Sequence, residues 1–367
     1  MKKQRDTGTR PKTTLKTDET KRKNLRDLLL AVIVFIVLCV IYLVRFANPE
    51  ALEEASGADS VTATEFKLNT VVTVTFSHPN GNQLLKDVMA LCDKYENIFS
   101  RTKEGSEIYK LNNGTLEKEG NAFVLSPECA ELVARGLEYS ELSDGAFDIT
   151  IEPVSSQWDF TSESKKVPSE KDIADSLPLV NYENVRLDGN RLTFAQEGMG
   201  LDLGAIAKGY IADKMKEFLV ENGVESGIIN LGGNVLCIGE KLGNIPFRIG
   251  IQKPFAGRSE TIATISISDM SVVSSGIYER YFEKDGKLYH HILNPKTGYP
   301  YDNSLVSVSI VSDKSVDGDA LSTTCFALGL DRGMELIDSL PDVHAVFITD
   351  DYELHYSKDF EDAISVN

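Results

Sequence analysis

The sequence predicts an α+β fold: one mixed α/β domain behind an N-terminal transmembrane helix. Three observations predict it. Helical and strand patterns are interleaved without a strand-helix unit of fixed period, which disfavours a doubly wound parallel sheet. "TVVTVTF" alternates β-branched residues with the period of a half-buried strand. A single long apolar run, from Leu28, precedes the first such pattern.

Residues 1–27 carry ten Lys/Arg against four Asp/Glu, so the net charge of −18 leaves −24 for the rest of the 367-residue chain. An acidic body of this kind excludes a basic nucleic-acid interface. "LLLAVIVFIVLCVIYLV", Leu28 to Val44, is followed by Arg45 and Phe46. At about 1.5 Å per residue, and with an arginine able to snorkel, residues 28–46 can cross a bilayer core of about 30 Å. The basic tail, 1–27, is expected to stay in the cytoplasm and the body to face outward, at the cell membrane. A cleaved signal peptide has a shorter apolar region and a small-x-small end, which "RFANPEA" matches poorly. An uncleaved anchor is therefore expected. Residues 47–61, small and acidic, read as a tether, leaving 62–367 as the folded domain.

"QLLKDVMALCDKYENIFS" places Leu84, Val88, Leu91 and Tyr95 on one helical stripe, and a second helix is expected over Pro127 to Leu142. A mixed region runs to about Leu179, then a short strand near "NVRLDGNRLTF". "LDLGAIAKGYIADKMKEFLVENG" reads as a turn followed by a helix beginning near Gly204. Strands follow over "GIINLGG", "FRIGIQKP", "TIATISIS", "SVVSSG", "LVSVSIV" and "HAVFIT", with helices from about Asp319 and over "GMELIDSL". Of the five cysteines, Cys39 lies in the apolar run; Cys92, Cys129, Cys237 and Cys325 sit in apolar settings without a CxxC pair, so buried free thiols are expected.

Four glycine-containing stretches are candidates for chemistry: "DGAFDIT", "LDLGAIAKGY", "NLGGNV" and "HHILNPKTGYP". None is a P-loop or a GxGxxG after a strand, so neither common nucleotide signature applies. Lys208, in the first turns of a helix, is electrostatically misplaced unless an anion lies beside it; a solvated lysine is the alternative. Asp202 can cap the same helix. His291, at a strand end before a Pro-Lys-Thr-Gly turn, suits proton transfer or a structural role; His290 falls on the opposite face. In "VDGDALSTTCFALG", Asp317 or Asp319 can cap a helix. Asp319 and Thr323, four residues apart, also share one face as a carboxylate and a hydroxyl, hard oxygens that suit Mg²⁺ or Ca²⁺, of which Mg²⁺ characteristically fills its other positions with water and substrate phosphate.

Taken in order, "FSRTKEGSEIYKLN", "GAFDITIEPV", "LDLGAIAKGYIAD", "GIINLGGNV", "SSGIYERYFEKDGKLYHHILNPKTGYP" and "DGDALSTTCFALG" resemble the motifs of the ApbE family of FAD:protein FMN transferases, over roughly residues 62–345. The resemblance implies transfer of the FMN half of FAD to a Thr or Ser hydroxyl of an acceptor flavoprotein, with AMP released and Mg²⁺ required. It implies that Ala146, Phe147 and Asp148 line the flavin site, that Asp202, Lys208 and Ile292 contact FAD, and that Leu68 and Thr102 lie beside it. It further implies a metal held by Asp319, Thr323 and the Ala205 carbonyl, with Asp319 and His291 as catalytic residues and His291 as the base.

Four departures stand out. Leu68-Asn69-Thr70 replaces Met-Gly-Thr, Thr102 replaces a tyrosine, Asn234 replaces an acidic residue and Glu152 replaces a glycine. An outward-facing site implies exported or membrane-bound acceptors. An FAD pyrophosphatase and a non-catalytic FAD-binding protein are the rival readings.

Overall fold

The computed structural model of the chain describes residues 60–160, 165–257, 259–360 and 365–366. The tail and the membrane anchor expected over 1–46 lie outside the described residues. Among the described residues, no helix is long and apolar enough to cross a membrane.

Eight strands form the central sheet: β1 (Ser60–Lys67), β2 (Thr70–Ser77), and, after two minor pairs, β7 (Ser226–Leu231), β8 (Asn234–Gly239), β11 (Ser271–Gly276), β14 (Leu305–Ser312), β15 (His344–Thr349) and β16 (Leu354–Tyr356). They lie side by side in chain order, and every neighbouring pair is antiparallel. An all-antiparallel sheet needs no crossover helices, which is why no strand-helix period was visible in the sequence. The first strand begins at Ser60, so the last two residues assigned to the tether are already paired, Ser60 to Ser77 and Val61 to Phe76.

Successive residues of a strand face opposite sides of the sheet, and here both sides are covered. Leu236, Ile238, Val308, Ile310, Ala345 and Phe347 face a helical layer. That layer contains α1 (Gly81–Phe99), α3 (Pro127–Leu142), α6 (Ala207–Glu221), α7 (Ser315–Leu328) and α8 (Leu330–Asp338); two short helices, α2 (Glu107–Asn112) and α4 (Glu152–Ser155), and α5 (Glu170–Ser176) fill the connections. Cys237, Val272, Val306, Val346 and Ile348 face the other way, against a small sheet of β9 (Phe247–Gln252), β10 (Thr261–Ile267) and β17 (Ser365–Val366). Every residue of β14 is buried. Each fully buried Val, Leu or Ile contributes about 1.5–3 kcal/mol, so this strand is a main anchor of the layers.

The expected helical stripe on α1 is present, with Leu84, Val88 and Tyr95 buried and joined by Leu85, Met89 and Cys92. The segment "NVRLDGNRLTF" is a hairpin, not one strand: β5 (Val185–Asp188) pairs with β6 (Arg191–Phe194), and β3 (Lys118–Glu119) and β4 (Ala122–Val124) complete a four-stranded sheet. The strand expected to end at His291 is β13 (Lys287–His290), and it pairs in a hairpin with β12 (Tyr281–Lys284), which was not expected from the sequence. It is pinned by a satellite cluster in which Phe282 and Tyr289 stack against each other and Trp158 contacts Tyr289, while the Trp158 indole donates to the Gly298 carbonyl at 3.0 Å. This cluster fixes the Asn-Pro-Lys-Thr-Gly turn next to His291. Cys92, Cys129, Cys237 and Cys325 are free and buried, as expected.

Candidate active site

Helices α6 and α7 meet at Gly209. A Cβ at this position would lie 2.2 Å from the Ser315 carbonyl oxygen and 2.6 Å from the Val316 Cα. Only a residue without a side chain permits that approach. It brings the start of α6 against the start of α7, and two carboxylates make the junction.

Asp213, on α6, accepts from the backbone N–H of Ser315 and of Val316, each at 2.9 Å. Helix α7 has no side-chain cap of its own, its N-cap being Lys314. Asp213 therefore supplies from a neighbouring helix the acceptors that the first turn lacks. Burial pushes Asp213 up to about 6, against the effect of those two donors. Replacing Asp213 with Ala should lower stability by about 1–2 kcal/mol, the usual loss for a helix cap. Asp213→Asn, which keeps one acceptor, should recover part of it; thermal unfolding of the two variants checks both.

The second carboxylate is Asp319, one turn into α7 and 2% exposed. Its Oδ1 accepts from Lys208 Nζ at 3.0 Å and its Oδ2 from the Gly209 N–H at 2.9 Å. The anion that Lys208 requires at a helix N-terminus is thus Asp319. Neither aspartate of the "VDGD" stretch caps the helix, which starts four residues earlier than expected, at Ser315. Asp317 instead accepts from Arg135 Nη2 at 2.6 Å and from the Tyr139 hydroxyl at 2.7 Å, tying α7 to α3. Thr323 lies one turn beyond Asp319 on the same face, its hydroxyl 3.1 Å from Ser275 Oγ on β11.

Ala205 lies in the turn that opens α6. In a regular helix the Gly209 N–H would point to the Ala205 carbonyl four residues back. Here it goes to Asp319, which releases that carbonyl from its helical partner. The Asp319 carboxylate, the Thr323 hydroxyl and the Ala205 carbonyl are hard oxygens of the kind Mg²⁺ takes, an ion that uses few protein ligands and fills its shell with water and substrate phosphate. Among the described residues no cluster of three or more His, Cys, Asp or Glu could hold a metal.

His291 follows β13 directly, and its backbone N–H donates to the Arg280 carbonyl at 3.2 Å. The residue is partly exposed, but its Nδ1 is buried and meets no hydrogen-bond partner among the described residues. Burial pushes its pKa down to about 3, with the charges of Arg280, His290 and Lys208 acting in the same direction. His290 is buried on the opposite side, its Nε2 2.9 Å from the Tyr301 carbonyl oxygen, which is a structural role.

The remaining expected residues are linked through side chains that the sequence reading did not single out. Tyr301 accounts for two of them: its hydroxyl donates to the Ala146 carbonyl at 2.8 Å and its N–H to the Ile292 carbonyl at 3.0 Å. Asp202 accepts from Arg101 Nε at 2.8 Å, from Ser155 Oγ at 2.8 Å and from the Gly204 N–H at 3.0 Å. It therefore folds the turn before α6 and does not cap the helix, whose N-cap is Ile206.

Thr102 adjoins Arg101, and Lys103 bonds Glu96 at 2.9 Å; the other Glu96 oxygen accepts from the Leu68 N–H at 2.8 Å. Asp148 spends its carboxylate inside the chain, on the Thr150 N–H and hydroxyl and on the Tyr182 N–H, while Phe147 is buried against Tyr139. Arg101 lies within "FSRTKEGSEIYKLN", but nothing in its local spacing marks a partner 101 residues away.

The ApbE family model matches residues 68–347. An FAD:protein FMN transferase of Klebsiella pneumoniae (strain 342) is 38% identical over 276 residues, covering 75% of this chain and 84% of the relative. One of Treponema pallidum (strain Nichols) is 33% identical over 298 residues, covering 77% and 81%. The crystal structure of the ApbE protein of Thermotoga maritima superposes with a TM-score of 0.75 at 30% identity, covering 83% of this chain and 98% of that one. Sequence and architecture agree, and the chain belongs to the ApbE family, as a transferase enzyme.

Proposed function

We propose that the chain transfers the FMN moiety of FAD to a Thr or Ser hydroxyl of an acceptor flavoprotein and releases AMP, with Mg²⁺ as the cation. The observation that carries this reading is the pairing of buried Asp319 with Lys208, together with a His291 Nδ1 that meets no partner among the described residues. The names of the Klebsiella and Treponema relatives support it. In the reaction the acceptor oxygen forms a bond to the FMN phosphorus, the P–O bond of the pyrophosphate breaks, AMP departs and the hydroxyl proton passes to His291.

Lys208 and Arg280 supply positive charge for the phosphates, and Asp319, Thr323 and the Ala205 carbonyl would hold the cation. When bound, Mg²⁺ supplies charge neutralisation and orientation of the phosphate oxygens. His291 is neutral in the free protein, but burial and the nearby positive charges that lower its pKa also weaken it as a base, so substrate phosphates would have to offset those charges for it to take the proton. The apolar run at 28–46 and the charge bias around it support an anchor in the cell membrane with the domain outside, facing exported or membrane-bound acceptors.

His291→Ala should reduce transfer by about 10²–10⁴-fold, the usual contribution of a general base, with FAD binding retained. The sign of the pH effect follows from the lowered pKa. The folded chain keeps His291 neutral down to about pH 3, whereas the unfolded chain protonates near 6.5. His291 therefore contributes stability above about 6.5 that is lost as pH falls toward 3. Wild type should lose stability relative to His291→Ala over that window, as followed by urea unfolding at stepped pH.

The reading is tested by incubating the chain with FAD, Mg²⁺ and an exported flavoprotein, then weighing the acceptor by intact-mass spectrometry. A gain of one FMN, lost when the acceptor hydroxyl residue is replaced by Val, is expected. An acceptor left at its original mass would refute transfer.

A further inference from the structure

Lys208 Nζ lies 3.0 Å from Asp319 Oδ1, while the Gly209 N–H holds Oδ2. The chain's own donors therefore already occupy both oxygens of the carboxylate that is to bind the cation. The two partners differ in freedom. The Asp319 side chain is 3% exposed and the Lys208 side chain 27%, so the carboxylate is fixed and the ammonium has room to leave. Lys208 also sits in the first turn of α6, where exposed peptide N–H groups make the potential positive. That position suits an anion, and a lysine there is retained only while some anion faces it. A divalent cation on Asp319 would share the carboxylate with the ammonium and be repelled by it.

We infer that Lys208 is the resident counter-cation of Asp319 and must leave the carboxylate for the cation to bind. The ammonium leaves when a phosphate-bearing substrate arrives at the helix N-terminus and takes it over. Cation and substrate then bind cooperatively, because each removes the obstacle to the other. Linkage requires the effect to be reciprocal, and coupling of this kind is typically about 5–150-fold. The inference rests on the cation assignment of the proposed function.

The test uses Mn²⁺ as the probe, with free Mn²⁺ counted by electron paramagnetic resonance, in the absence of any acceptor protein. Wild type should bind Mn²⁺ at least about fivefold more tightly with FAD than without it. Lys208→Gln and Lys208→Met should bind Mn²⁺ at least about fivefold more tightly than wild type when FAD is absent, and FAD should add little further. Two variants are used so that a local packing defect in one does not decide the outcome, and circular dichroism melting checks that each is folded. Mn²⁺ binding by both variants that is equal to or weaker than wild type without FAD would overturn the exchange. Asp319→Asn serves as the separate control: Mn²⁺ binding retained in that variant overturns the cation assignment itself. Binding lost in Asp319→Asn with no gain in the lysine variants overturns only the role of Lys208.

Discussion

Replacing Asp319 with Asn is expected to lower FMN transfer by at least about a thousandfold, equivalent to about 4 kcal/mol of transition-state stabilisation, while the domain stays folded. The two effects separate because of how the side chain is held. Asn keeps an oxygen for the Gly209 N–H, so the α6–α7 junction retains its hydrogen bond. What is lost is the negative charge, and with it the pull on Lys208 and on any cation. The Lys208 side chain is 27% exposed, so its ammonium can be hydrated after the partner is gone. The stability loss should stay near 1 kcal/mol, a melting shift of about 3 °C. Transfer rates by acceptor mass and melting curves measured on the same preparation check both halves. A folded variant that still transfers at wild-type rate with Mg²⁺ would exclude Asp319 from the chemistry.

The second large effect is expected at a residue that carries no chemistry. Gly209→Ala should destabilise the domain by about 3 kcal/mol or more and lower Tm by about 6–10 °C. The usual expectation for such a change has the opposite sign, because Ala is favoured over Gly by about 0.5–1 kcal/mol inside a helix. Here the new methyl would meet the Ser315 carbonyl at 2.2 Å, a backbone atom with no rotamer to adopt. Helix α7 would have to retreat, drawing Ser315 and Val316 from Asp213 and Asp319 from the Gly209 N–H. A displacement near 1 Å at reacting groups costs about a hundredfold in rate, so transfer should fall even in the folded fraction. An unchanged or raised melting temperature would show that the helices are not held as closely as described.

Much of this architecture was legible because its causes are local. The alternation of "TVVTVTF" and the stripe on α1 follow directly from which faces are buried. The order of the sheet was not legible, since pairing β2 with β7 joins segments more than 150 residues apart through backbone groups that every sequence shares. Strand β12 was missed because it is only four residues long and ends in Glu283 and Lys284, and aromatic packing of Phe282 on Tyr289 supplies what its patterning lacks.

At the site, the spacing of Asp319 and Thr323 did predict a shared helical face. It could not reveal that Lys208 and Gly209 bind Asp319 from 110 residues away, nor that Asp213 caps α7. Asp317 looked like a cap because capping aspartates share its sequence position. Its engagement by Arg135 and Tyr139 is a tertiary fact. Asp148, implied as a flavin contact, also has a tertiary bond that its own spacing does not reveal, to the Tyr182 N–H, beside those within its own turn.

The claim on which the rest depends is that a protein hydroxyl, and not water, receives the FMN phosphorus. The most direct measurement counts products in one reaction of chain, FAD, Mg²⁺ and acceptor: AMP by chromatography against FMN covalently held on the acceptor. The account predicts equal amounts of the two throughout the reaction, with free FMN absent. AMP released together with an equal amount of free FMN, and an acceptor that gains nothing, would contradict it and identify the site as that of an FAD pyrophosphatase.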